Sequence, residues 1–166
     1  TSTAMGRFVM DIIQRIAQLE SDQIGERTYF GMEQKAKVRG GNLGKPAPFG
    51  YRYGGPNDAL TIVKEEEKTI RDIFSFYLSG KKRSEIAQIL VDSGSRTRSG
   101  KEWDRWAVAD ILLNPTYAGA TRWGQQLQLD THPAIVTAEI FDKAQEDIRK
   151  DSPKAKVTFL RRLTVT

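Results

Sequence analysis

Arg96, Arg98, Lys101 and Arg105 crowd one short stretch of this chain, and Trp106 follows directly behind them. Guanidinium groups pair with guanine edges or phosphates through two parallel hydrogen bonds, ammonium groups neutralise phosphates, and an indole stacks on bases. The chemistry on offer is recognition of a nucleic acid rather than bond breaking. A second basic stretch runs from Arg39 through Lys45 to Arg52, led into by Lys35 and Lys37 and broken by Gly40, Gly41, Gly44, Pro46 and Pro48. Glycine there lets backbone come close to a ligand while the cations attract phosphate. Competing chemistries find little support. His132 is the only histidine and precedes Pro133 in a turn, which reads as a structural or solvated residue. Without cysteine, neither a disulfide nor a thiolate zinc site can form within these residues. No nucleophile has a general base placed by spacing. Glu65-Glu66-Glu67 suits the positive end of a helix, and Gly40–Gly44 lacks the strand and helix that a phosphate-cradling nucleotide loop needs.

The elements that must position these groups follow from periodicity. The chain has 166 residues, 39% hydrophobic and 28% charged, with a net charge of +5. That is enough for one core with an appendage, and the basic balance favours an anionic partner. No apolar run reaches membrane-span length and no signal peptide is visible. From about Met5 to Val38 there is no proline, and Met5, Phe8, Val9, Ile12, Ile16 and Leu19 recur at helical spacing. Phe49–Tyr53 and Leu60–Val63 read as a hairpin about Gly54-Gly55-Pro56. Glu65–Leu78 reads as a helix with Ile70, Ile73, Phe74 and Tyr77 inward and Gly80 at its cap. Ser84 caps a next helix carrying Ile86, Ile89 and Leu90, which stops at Gly94. After the basic loop Ser95–Lys101, Asp104 caps a helix with Val108, Ile111 and Leu112 inward, ending at Asn114-Pro115. Tyr117–Trp123 and Gln126–Leu129 form a second hairpin, and Thr137–Lys150 a last amphipathic helix.

Lys82–Asn114 thus gives helix, glycine turn, basic loop, helix, a helix-turn-helix pattern with an enlarged turn. Its second helix would enter a DNA major groove N-terminus first, presenting Asp104, Arg105, Trp106 and Ala109. Trp103 and Trp123 read as core aromatics instead. The basic linker would follow a minor groove. The expected fold is α+β and mostly helical: a long N-terminal helix, then a small helical DNA-binding domain with short β-hairpins and a helix-turn-helix-like core. The expected divisions are 1–39 for the connecting helix, 40–48 for the DNA-contacting linker, 49–151 for the DNA-binding domain and 152–166 for a basic tail. The unlike halves and the start at Thr1 read as a piece of a longer protein.

Thr1–Phe8, Gln18-Leu19-Glu20 and Ile24–Thr28 resemble the long connecting helix of serine recombinases. Gly44–Tyr51, Ser99–Trp103, Ile111–Gly119, Ala134-Ile135-Val136 and Phe141 resemble the recombinase domain of that family's large members, the phage integrases and element-encoded transposases. The resemblance runs from Thr1 to about Asp151. It implies a parent that cuts DNA through a 5′-phosphoserine link, rotates the halves and religates, without a metal or high-energy cofactor for that chemistry. It also implies dimers and tetramers through the N-terminal helix, a DNA attachment half-site as partner, and a bacterial or phage-encoded protein working in the cytoplasm at the nucleoid. The serine nucleophile is absent here, and the family's zinc ribbon would lie in a further C-terminal part, so this chain alone would hold no cofactor and cut no DNA. Arg27 matches the family's helix arginine beside the scissile phosphate, where a guanidinium stabilises transition-state charge. The residues alone also allow Arg27 a salt bridge along its helix. They also allow a helix-turn-helix transcription regulator, or an interaction scaffold docking through Met5–Leu19 with an incidental basic surface.

Overall fold

The structure is a computed structural model that describes residues 3–39, 46–54, 59–123 and 126–160. Helix α1 (Ala4–Arg39) is followed by strands β1 (Tyr51–Tyr53) and β2 (Leu60–Ile62), then by helices α2 (Lys64–Leu78), α3 (Arg83–Asp92) and α4 (Arg105–Leu113). A short 3-10 helix (Pro115–Ala118), strands β3 (Thr121–Trp123) and β4 (Gln126–Gln128) and helix α5 (Ala138–Asp151) complete the order. The fold is mostly helical with two separate antiparallel hairpins: Tyr51 pairs with Ile62 in the first and Thr121 with Gln128 in the second. Tyr117 and Ala118 lie in the 3-10 turn rather than in a strand, because Asn114 accepts a hydrogen bond from the Thr116 amide and Gly119 closes the turn at φ 83°.

Helix α1 is about 54 Å long at 1.5 Å per residue. It approaches β3. Its apolar stripe meets no core: Met5 is 70% exposed, and Phe8, Ile16 and Leu19 are exposed as well. The core lies among α2–α5 and the hairpins. Ile70, Ile73, Phe74 and Tyr77 of α2 meet Ile86 and Leu90 of α3, Val108, Ile111 and Leu112 of α4, and Phe141, Ala144 and Ile148 of α5. The inward faces expected for α2 and α4 are the buried ones; on α3, Ile89 is only half-buried and Ala87 joins the core instead.

Helix ends are built by local hydrogen bonds. After α2, the Gly80 amide donates to the Tyr77 carbonyl and the Lys81 amide to the Phe76 carbonyl, with Gly80 at φ 98°. After α3, Gly94 donates to Val91 and Ser95 to Leu90 in the same arrangement. Both are left-handed glycine stops that return two orphan carbonyls to donors. Asp104 caps α4 as expected, accepting from the amides of Trp106 at 2.9 Å and Ala107 at 2.8 Å. Ser84 does not cap α3. The cap is Lys82, two residues earlier, and the Glu85 carboxylate reaches back to the Lys82 amide at 2.8 Å.

Residues 152–160, expected as tail, pack on the domain. Leu160 is 2% exposed, and its amide donates to the Asp142 carboxylate on α5 at 2.7 Å. Arg122 on β3 donates to the Thr158 hydroxyl. Helix α5 docks on α4 through Gln145, whose amide donates to the Leu112 carbonyl at 2.6 Å. Replacing Leu160 by alanine should cost about 2–5 kcal/mol, the usual range for emptying a buried leucine site. A urea melt showing less than about 1 kcal/mol would mean that the segment does not seal the core.

His132 proves structural, as its place in a turn suggested. Its Nε2 lies 2.6 Å from the Thr116 carbonyl, which only accepts, so Nε2 carries the proton and Nδ1 accepts from the Thr131 hydroxyl at 2.8 Å. The ring meets Tyr51 edge to face, and Tyr51 in turn donates to the Pro133 carbonyl at 2.8 Å. Burial pushes the imidazole below its ordinary value of 6.5, with the bond to Thr116 opposing. The folded state therefore binds fewer protons than the unfolded one, so stability is full above pH 6.5 and is lost as pH falls below it. The slope is at most about 1.4 kcal/mol per pH unit. Melting curves between pH 7.5 and 5 should fall more steeply for the natural chain than for His132→Gln; parallel curves would remove His132 as the cause.

Candidate nucleic-acid interface

Helices α3 and α4 pack against each other and are joined by the loop 93–104. The loop is tied at both levels. The Thr97 amide donates to the Lys101 carbonyl at 2.9 Å, Gly100 turns the chain at φ 81°, and the Thr97 hydroxyl accepts from the Lys101 amide. Trp103, 5% exposed, anchors the loop from beneath: its indole donates to the Ser95 hydroxyl and its ring meets Phe49 edge to face at 5.1 Å.

The first turn of α4 is the most exposed aromatic and basic surface of this unit. Trp106 is 64% exposed, and the Arg105 guanidinium lies 4.7 Å from the centre of its ring. The negative face of the ring attracts the cation, a modest gain at so exposed a site, and the two groups stand outward together. Ala109, expected beside them, is 6% exposed and belongs to the core, where α4 packs on its neighbouring helices. Arg96 is held loosely, donating to the Ser95 carbonyl and standing 3.7 Å from Glu102. The Lys101 side chain is exposed on the same loop, and Arg52 is exposed on β1, outside the α3–α4 unit.

Arg98 has a different task from the one expected. Its guanidinium donates to the Ala47 carbonyl at 2.9 Å, to the Tyr51 carbonyl at 2.7 Å, and through two nitrogens to the Glu66 carboxylate. Glu66 also accepts from the Gly50 amide at 2.7 Å. Four of the five N–H groups of Arg98 are thus turned into the domain, fastening the residues 47–51 to α2 and to the loop. Two backbone carbonyls and a carboxylate surround the guanidinium of this expected groove contact, and 43% of its side chain stays exposed.

Several expected residues lie apart. Arg27 is exposed on α1 and makes no ion pair among the described residues. Lys35, Lys37 and Arg39 are on α1, with side chains outside the described set, as is the Trp123 side chain; Lys45 lies outside the described residues. Lys81, Lys82 and Arg83, three consecutive cations not singled out from the sequence, stand where α2 gives way to α3. They line one groove with Arg105. Among the described residues no group of three His, Cys, Asp or Glu could hold a metal ion, and no helix is long and apolar enough to cross a membrane.

Removing the Arg98 clamp should be felt in stability. Arg98→Ala leaves the half-buried Glu66 carboxylate with only the Gly50 amide, and should cost about 2 kcal/mol, well above an ordinary surface ion pair. Arg98→Lys should recover only part, since one ammonium cannot span all the acceptors. A denaturant melt with both variants within about 0.5 kcal/mol of the natural chain would rule the clamp out.

Two family models match the chain: Recombinase over residues 64–151 and Resolvase, N terminal domain, over residues 1–41. The chain is 32% identical over 150 residues to the "Putative DNA recombinase" of Bacillus subtilis (strain 168), which takes in 87% of this chain and 29% of that protein. The chain therefore spans less than a third of that relative's length. Among solved structures, a crystal structure of an LSR–DNA complex aligns with a TM-score of 0.62 at 20% identity, covering 78% of this chain and 41% of that one. A structure from work on the sequence requirements of the Listeria innocua prophage attP site aligns with a TM-score of 0.59 at 20% identity, covering 78% and 57%. The Recombinase match spans more than half of the residues and coincides with the α2–α5 body, and the long helix carries the resolvase match: the chain belongs to the serine recombinase family.

Proposed function

We propose that this chain binds one half of a DNA recombination site in a sequence-specific manner, as the DNA-reading part of a large serine recombinase. The observation that carries the reading is the first turn of α4, where Asp104 caps the helix and Arg105 and Trp106 stand out stacked in solvent. A helix so presented enters a major groove by its N-terminus, Arg105 pairing with a guanine edge and Trp106 packing on a neighbouring base or thymine methyl. Arg96 and Lys101 on the tied loop approach the flanking backbone. Arg52 and the basic stretch with Lys35, Lys37, Arg39 and Lys45 track the phosphates beside it. The likeness in fold to a recombinase bound to DNA supports the same reading.

In this reading the serine that attacks the DNA phosphate, and the zinc ribbon with its metal, belong to other parts of a longer protein working on chromosomal or phage DNA in the cytoplasm. Arg27 would lend its free guanidinium to the phosphate undergoing transfer. The exposed apolar stripe of α1 would be covered by a second copy, giving the dimers and tetramers in which two DNA sites are exchanged.

The test begins with selection of bound duplexes from a random pool at moderate salt, followed by affinities for the enriched half-site and a scrambled duplex. Arg105→Ala should reduce the ratio of the two by the worth of one bidentate base contact, about 1–3 kcal/mol. Lys45→Ala should weaken both duplexes alike and lower the salt slope by about one. Identical effects from the two substitutions, or no enrichment, would sink the assignment.

A further inference from the structure

The groove that joins the start of α3 to the start of α4 holds an excess of positive charge among the described residues. Lys81 and Lys82 come from the turn between α2 and α3, Arg83 opens α3, and Arg105 lines the same groove from α4. Asp147 and Asp151 line the same groove but are outnumbered by these four cations and Lys150; Asp151 accepts from the Tyr77 hydroxyl at 3.0 Å, and Asp147 stands 3.8 Å from Lys150. Lys81, Lys82, Arg83 and Arg105 make no ion pair among the described residues, and Lys81 and Lys82 are exposed. Like charges gathered this closely repel one another, and a groove of about 530 Å³ leaves room for a polyanion to relieve them.

The backbone beneath the two lysines is fixed. The Lys81 amide is the outer donor of the glycine stop that ends α2, at 3.1 Å from the Phe76 carbonyl, and the Lys82 amide is held by Glu85. The two ammonium groups therefore project from anchored positions rather than from a loose loop. The first turn of α4, by contrast, cannot itself seat a phosphate: the amides of Trp106 and Ala107 are taken by the Asp104 carboxylate, whose charge would repel one. If α4 reads bases, the phosphates flanking that groove need cations from a neighbouring element.

We infer that Lys81, Lys82 and Arg83 form a phosphate clamp for the DNA strand that borders the groove entered by α4. This rests on the DNA-binding reading above. The three residues carry no sequence information; they set how deeply and at what angle α4 sits, while Arg105 bridges the clamp and the base-reading turn.

Lys81→Ala/Lys82→Ala tests it in the full chain, with its melting temperature confirming the fold and Lys81→Gln/Lys82→Gln as a second variant should the first be unstable. Binding is measured on the enriched half-site and on a scrambled duplex from 50 to 300 mM salt. The expected result is equal weakening on both duplexes, an unchanged ratio between them, and a fall in the slope of log affinity against log salt of about 1.8, two contacts at about 0.9 each. An unchanged slope would overturn the clamp and leave the groove for an acidic protein partner. A reduced ratio with an unchanged slope would overturn it too, by making the lysines base readers. Absence of salt-sensitive binding by the natural chain would instead refute the DNA-binding reading, and the clamp with it.

Discussion

The contact between Arg98 and Glu66 is the constraint on which the rest of the domain depends. It gathers three parts of the chain: the residues that lead into β1, the first turn of α2, and the loop between α3 and α4. The pair is neither deeply buried nor free, with 43% of the Arg98 side chain and 19% of that of Glu66 exposed. Such a pair stabilises through its hydrogen bonds to backbone more than through charge, since water still screens one side. What it chiefly supplies is position. Gly50, inside the clamp, has φ 92°, and a Cβ there would stand 3.0 Å from Ile135 Cδ1, so the chain must enter the domain by a glycine turn against the core.

From that entry the packing follows. Tyr51 is fully buried, donates to Pro133, and stacks on Tyr117, while His132 closes the other side. This polar cluster joins the first hairpin to the 3-10 turn and the segment that precedes α5. Phe49 leans on Trp103, and Trp103 holds the loop whose far end presents α4. The exposed Arg105–Trp106 pair is thus fixed from behind by a chain of contacts that begins where the chain enters the domain. A surface fixed in this way loses less conformational freedom on binding a rigid partner.

The division of labour among the cations emerges from the same geometry. Arg98 is consumed internally, Arg105 is displayed, and Lys81, Lys82 and Arg83 are placed on anchored backbone with no acidic partner among the described residues. Side chains that look equivalent in a basic sequence differ in function because their neighbours satisfy them to different degrees. The long α1, whose described side chains are all exposed, makes the opposite case: a strong apolar pattern with nothing among the described residues to cover it.

Local chemistry made much of this legible in advance. The spans of α2, α4 and α5, the Asp104 cap, the glycine stops at Gly80 and Gly94, and the buried faces of α2 and α4 each depend on residues three or four apart, and such spacing is visible in a sequence. So was the family, because its motifs are short and ordered along the chain. What sequence spacing could not show was where long side chains travel. Arg98 reaches partners 32 and 51 residues away, Leu160 buries against Asp142 at 18, and Arg105 shares a groove with cations over twenty positions earlier. Those pairings depend on the angles at which the helices pack, and only the assembled core sets them.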